Sequence, residues 1–322
     1  MDEVFFGTIV ASTLRVSVPL ILCALAGVLC ERAGVIDLGL EGKMLATAFA
    51  TAAVGVTTGS LGLALIAAVA VGLALSMLHG YACVSHRGDQ VVLGMAITMT
   101  AAGLTVVLGI AWFAQGGQTP AVPEAVRLDG WFGGLGDALK TVPFIGTALA
   151  LAFTGHNAMV YGALALVVAV WWLLYRTRFG LRLRAAGENP AMVDAAGVSV
   201  KALRYQALAL NGVLASLAGA YLVLAQNPSF IPHMTAGRGY MALAALIFGK
   251  WHPVGALWAC LLFGFLDAIS IRLQGASLPL IGEVPVQAIQ ALPYVLTVVL
   301  LAGFIGSAVA PKALGRPYVK ER

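Results

Sequence analysis

Residues 60–84 read SLGLALIAAVAVGLALSMLHGYACV, 25 positions without a Lys, Arg, Asp or Glu. As a helix this run would rise about 37 Å at ~1.5 Å per residue, enough to cross the ~30 Å hydrocarbon core of a bilayer. It has no period-two alternation, which argues for a helix over a barrel strand. The same texture extends along the chain. Of its 322 residues 60% are hydrophobic and 10% charged, with a mean hydropathy of +0.93. An ordinary soluble domain is about a quarter charged. A surface this poor in charge suits lipid, where only helices and closed barrels satisfy the backbone.

Further apolar runs lie at 8–30, 43–58, 91–113, 157–175, 204–225, 237–250, 253–272 and 287–307. The sequence therefore predicts an all-α polytopic membrane protein, a single domain over 1–322 with about nine spans, within a range of eight to ten. The segments at 43–58 and 237–250 are short and flanked by glycine, as half-helices or re-entrant pieces are. Met1-Asp2-Glu3 is acidic where a cleavable signal would be basic, so the first run is expected to stay as a span.

Basic residues set the orientation. Arg176, Arg178, Arg182, Arg184, Lys201 and Arg204 lie in or beside the 176–203 loop, and Lys312, Arg316, Lys320 and Arg322 in the tail. Alternating spans put Arg32, Lys43, Arg87 and Lys250 on the same side, leaving Arg127, Lys140, Arg238 and Arg272 opposite and Arg15 within the first span. The reading is C-terminus cytoplasmic and N-terminus outside. The net charge of +5 is then a membrane feature, and no nucleic-acid partner is expected. Cys23, Cys30, Cys83 and Cys260 sit in apolar runs as small buried side chains, and the five histidines have no metal-ligand spacing. Trp131, Trp171, Trp172, Trp251 and Trp258 read as an aromatic belt at the interfaces.

Two excursions interrupt the apolar texture. The outer loop, 114–156, contains an apolar run near 143–153 that is too short to span and suits the membrane surface. The inner loop, 176–203, contains a bracketed helix. Asn189 can cap the first turn, Pro190 suits the first helical position, and Gly197 suits the residue just past the end. A helix of about two turns at 190–196 is marginal alone, so it should dock against something. A headgroup-level connector is the other reading. There is also an internal echo. Gly42-Lys43-Met44 and Gly239-Tyr240-Met241 each open a short Ala-rich segment, followed by a turn and a full helix. In the alternating topology the two units run oppositely, as in the inverted repeats of transporters.

Three stretches carry a family resemblance. Residues 31–42, ERAGVIDLGLEG, are similar to the N-terminal signature of nucleoside-type permease subunits of ATP-binding-cassette importers, in the group handling simple sugars, branched-chain amino acids and nucleosides. Gly187-Glu188-Asn189-Pro190 through Ala195-Ala196-Gly197 resembles that group's cytoplasmic coupling segment, and residues 237–249, GRGYMALAALIFG, a late membrane segment. Gly39 after Ile36-Asp37-Leu38 leans toward the nucleoside type, where sugar-type members carry Ser. Position 37 is Asp where members usually carry Asn. The resemblance covers nearly the whole chain. It implies that Glu188, Asn189, Pro190, Ala191, Asp194 and Gly197 dock on a separate ATPase subunit, which binds ATP and Mg²⁺. It further implies a second permease chain, identical or related, and an extracytoplasmic solute-binding protein. This chain has no G-x-x-x-x-G-K-[ST] cradle: Met44 follows Gly42-Lys43, and position 37 is not Gly. It is read as no enzyme and as needing no cofactor of its own.

Polar groups in apolar runs are the candidates for the solute path. Asp37 and Glu41, four apart, could accept hydrogen bonds from sugar or base, helped by Arg32 or Lys43; alternating spans favour loop charges at the cytoplasmic surface. Gln206 and Asn211 lie in one span. Asn227 and Phe230 lie at its outer end, as an outer gate or the dock for the binding protein; Phe230 could stack on a planar ring or serve as an interfacial anchor. Asp267 lies deep in another, free or paired with Arg272. On residues alone, an ATPase-independent channel or ion-coupled carrier using Asp267 also remains open.

Overall fold

The computed structural model describes residues 2–128, 130, 146–273, 277–278, 282–283, 291, 295, 299 and 308–320. Among the described residues, eleven continuous α-helices order as α1 (Asp2–Arg32), α2 (Leu40–Thr58), α3 (Leu61–Gly80), α4 (Gln90–Phe113), α5 (Gly146–Phe153), α6 (Ala158–Arg176), α7 (Arg178–Glu188), α8 (Pro190–Ala195), α9 (Val200–Tyr221), α10 (Arg238–Phe248) and α11 (Pro253–Leu273). Single π-turns extend α3 through Tyr81–Ser85 and α9 through Leu222–Gln226. The only strands among the described residues are the two-residue pair Ser277–Leu278 and Gly282–Glu283.

Six of these helices are long and apolar enough to cross a membrane: Val4–Arg32, Leu61–Ser85, Gln90–Phe113, Ala158–Arg176, Val200–Gln226 and Pro253–Arg272. They match six of the nine sequence-derived spans. The two short ones are α2, which begins at Leu40 rather than 43, and the 11-residue α10. The ninth, at 287–307, lies outside the described residues except for helical positions 291, 295 and 299.

Burial sorts the helices. In α1, 83% of the apolar window is buried, and in α9 78%, against 22% in α3 and in α4. The first two form a central pair. The outer helices are apolar all round because lipid, not water, meets their outer faces. Val18 to Leu29 of α1 pack with Ala207, Leu214 and Ala218 of α9, Leu243 and Leu246 of α10, and Cys260 and Phe263 of α11. A second core joins Leu45, Phe49 and Ala52 of α2 to Val223, Leu224 and Phe230. Close helix contact depends on missing side chains: a Cβ on Gly212 would stand 2.6 Å from the Gly72 carbonyl oxygen. Small residues of this kind let membrane helices touch backbone to backbone.

Several sequence readings change. The outer loop folds back on the end of α9, with Thr119 N donating to Phe230 O, Val122 N to Pro228 O and Leu128 N to Leu224 O. Within the apolar run at 143–153, residues 146–153 form α5, which packs on α1 with Ala150 and Ala152 buried. Trp251 leaves the aromatic belt: it is buried, and its indole donates to Glu31 at the end of α1. Trp172 and Trp258 are exposed. The four cysteines are buried and free.

Candidate functional site

The link from α1 to α2 turns back into the bundle instead of lying at the surface. Ile36 N donates to the Gln90 side chain, and Gly39 N donates to Asp37 Oδ1 at 3.0 Å. This brings Asp37 into a buried polar cluster shared by α2, α3 and α9. Its Oδ2 lies 2.6 Å from Lys43 Nζ. Its Oδ1 lies 3.1 Å from His79 Nδ1, within ion-pair reach but at a poor hydrogen-bond angle. Lys43 also donates to Asn211 Oδ1 at 3.0 Å, which accepts from Ser76 Oγ at 3.1 Å as well. His79 Nε2 and Asn211 Nδ2 have no hydrogen-bond partner among the described residues. A charged side chain this deep is costly unless paired, and here the cation and the carboxylate answer each other.

His79 also lines a cavity of about 670 Å³ between α2, α3 and α4. Its walls are almost wholly apolar, with Phe49, Ile97, Leu104 and Trp112 among them and Thr100 and Thr105 the other polar side chains.

Glu41, in the first turn of α2, has a different role. Its carboxylate accepts from Gly237 N at 2.8 Å and Gly239 N at 2.6 Å. The residue that caps α10 in sequence, Gly237, has φ +79 and no side chain to offer. Glu41 therefore caps α10 from another helix and places a negative charge at the positive end of its dipole. The far end of α10 reaches α1, where Arg32 Nε donates to Trp251 O at 2.9 Å. The far end of α2, at Gly55, meets Val122 and Val126 of the outer loop. The two short helices thus start side by side in the interior and run to opposite faces.

The sequence candidates divide accordingly. Asp37 and Glu41 are buried, which overturns the reading of both as surface loop charges, because the 33–39 link re-enters the bundle. Lys43 is the counter-charge of Asp37, while Arg32 is occupied by the carbonyls of Lys250 and Trp251. Asn211 joins the cluster, but Gln206 is exposed on another face of α9. Asn227 is half-buried beside Ser229. Phe230 is wholly buried, edge-on to Phe49 at 5.2 Å, so it is a core ring and not an interfacial anchor. Asp267 is half-buried and does not pair with Arg272, which stands over the ring of Phe5. His79 and Ser76 were missed. Their signal was their position, polar groups within the longest charge-free run of the chain.

On the face carrying the end of α1, the bracketed segment forms α8. Asn189 Oδ1 accepts from Met192 N at 3.2 Å, and Pro190 takes the first position. Gly197 has φ +78, with Gly197 N donating to Asp194 O and Val198 N to Val193 O, a Schellman closure. The helix ends at Ala195, one residue before the sequence-derived bound. Val193 packs inward on Ala186, Val200 and Leu203, while Met192, 69% exposed, and Leu181 of α7 present an apolar face outward. The tail straps this region: Ala313 N donates to Gly187 O, Gly315 N to Gly34 O, and Lys320 stands 3.6 Å from Asp194.

Residues 9–305 match the family described as branched-chain amino acid transport system / permease component. The guanosine ABC transporter permease protein NupQ of Bacillus subtilis is 40% identical, with 99% of each chain covered. The nucleoside ABC transporter permease protein NupC of Lactococcus lactis is 38% identical, over 98% of this chain and 97% of that one. The putative glucose ABC transporter permease protein TsgC13 of Haloferax volcanii is 35% identical, over 88% and 83%. With a family match across nearly its whole length and a helical membrane fold to go with it, this chain belongs to the branched-chain amino acid transport system permease component family.

Proposed function

We propose that this chain is the membrane-spanning permease subunit of an ATP-driven importer that carries nucleosides across the inner membrane. The observation that carries the reading is the end-to-end relatedness to permeases named for guanosine and nucleosides. The 35% identity to a putative glucose permease keeps a related simple sugar as a second solute class. About nine spans, with the N-terminus outside and the C-terminus inside, accommodate the six long helices, the two short ones and the apolar run at 287–307.

In this reading α8 is the coupling helix. Glu188, Asn189, Pro190, Ala191, Asp194 and Gly197 shape it, and the outward face of Met192 and Leu181 gives a partner ATPase an apolar seat. ATP and Mg²⁺ bind that ATPase. A second permease chain completes the channel, and an extracytoplasmic binding protein delivers the solute. Motion of α8 passes through the tail and Arg204, whose Nε donates to Ala33 O and Nη1 to Arg316 O, to the link that carries Asp37. The solute path runs beside the Asp37, Lys43, His79 and Asn211 cluster and the paired starts of α2 and α10. Asn227 lies toward its outer end.

The test is uptake of labelled guanosine into vesicles holding the assembled complex. ATP-dependent uptake that disappears when Pro190 and Asp194 are replaced, with guanosine still held by the binding protein, is the expected result. Uptake without ATP would instead make the chain a channel or ion-coupled carrier.

A further inference from the structure

Beside α8, a second cavity of about 400 Å³ lies among the turn after α3, the start of α9 and the tail. Its charge is one-sided. Arg87, Lys201, Arg204 and Lys320 line it, against the single carboxylate of Asp194. Asp194 already stands 3.6 Å from Lys320.

Arg204 is the unusual member. It is 1% exposed, yet its Nε and Nη1 meet only the neutral carbonyls of Ala33 and Arg316, and its Nη2 has no hydrogen-bond partner among the described residues. Among those residues no Asp or Glu stands within ion-pair reach of it. A buried guanidinium held only by carbonyls lacks a counter-charge. The same wall holds the N-terminus of the 22-residue α9, where the Ser199 hydroxyl takes the Ala202 amide and the preceding first-turn amides have no partner within the helix. Such a helix end favours an anion.

We propose that this cavity is a binding site for a phosphate monoester. A phosphate brings a charge of about −1.5 to −2 and three acceptor oxygens. That matches a site with three cations in excess, a guanidinium fork and a helix N-terminus. The cavity is larger than a phosphate alone, so the group esterified to it is a small polar one. Because Asp194 and Gly197 form part of the rim, the bound ester bridges the end of α8 to α9.

The proposal is independent of the transport reading and is tested by binding alone. Ribose 5-phosphate is titrated calorimetrically into the full-length chain in phosphatidylcholine nanodiscs, with ribose as control. Binding at about 0.1–1 mM is expected, weakened at least about tenfold by Arg87→Gln with Lys201→Gln, and absent for ribose. Both replaced side chains are exposed, so the fold is kept. A lipid headgroup as the source of the phosphate monoester shows itself otherwise: phosphatidic acid in mixed discs gathers around the unaltered chain, and not around the double variant, while ribose 5-phosphate gives no heat. If neither ligand distinguishes the unaltered chain from the double variant, the site does not exist.

Discussion

Lys43 Nζ lies 2.6 Å from Asp37 Oδ2, with no exposed surface on either side chain. Each removes the cost of burying the other. Asp37→Asn alone, or Lys43→Met alone, leaves an uncompensated buried charge and should cost roughly 3–5 kcal/mol. The double variant should recover most of that loss. Thermal unfolding of all four proteins in one detergent gives the cycle, and a double-variant loss equal to the sum of the two single losses would mean that the pair is not coupled.

Glu41 caps α10 across the bundle. Replacing it with Leu strands the amides of Gly237 and Gly239 and should cost about 1–3 kcal/mol for each unsatisfied group. Glu41→Gln keeps acceptor oxygen but no charge, and should fall between. Midpoint temperatures in that order, with Glu41→Asp measured for reach, check the capping role.

The α8 brackets can be tested without touching its outward face. Asn189→Ala removes the side-chain cap and should cost about 1 kcal/mol of local stability. Gly197→Val forces a β-branched residue to φ +78 and should cost more. Amide hydrogen exchange over 189–198 should quicken in both, with the membrane core unchanged.

Two glycines in long helices should behave oppositely. Gly212→Ala drives a methyl toward the Gly72 carbonyl and should cost roughly 1–3 kcal/mol. A methyl added at Gly162 of α6 would meet nothing within 4 Å among the described residues, so Gly162→Ala should be neutral or stabilise by up to about 1 kcal/mol. Unfolding midpoints of the two variants decide it.

The long spans and the α8 brackets were legible because each rests on local chemistry. Charge-free length specifies a span, and Asn189, Pro190 and Gly197 state where a short helix begins and ends. The interior cluster was legible only in part. Asp37, Glu41 and Asn211 stood out as polar residues among apolar ones, but their depth depends on the 33–39 link turning inward, which rests on distant partners such as Gln90. Phe230 shows the same limit. A Phe after Asn227-Pro228-Ser229 reads as an interfacial ring until the outer loop closes over it through Thr119.

The cap on α10 has a consequence for biosynthesis. An 11-residue helix rises only about 16 Å, too little for the insertion machinery to accept it on its own apolar length. Its missing acceptor lies on Glu41, 196 residues nearer the N-terminus of the chain. At about 5–20 residues per second, the ribosome delivers Glu41 roughly 10–40 s before Gly237 emerges. The first half of the protein is therefore in place as a receptor when α10 arrives, and α10 enters the membrane as a client of helices already made.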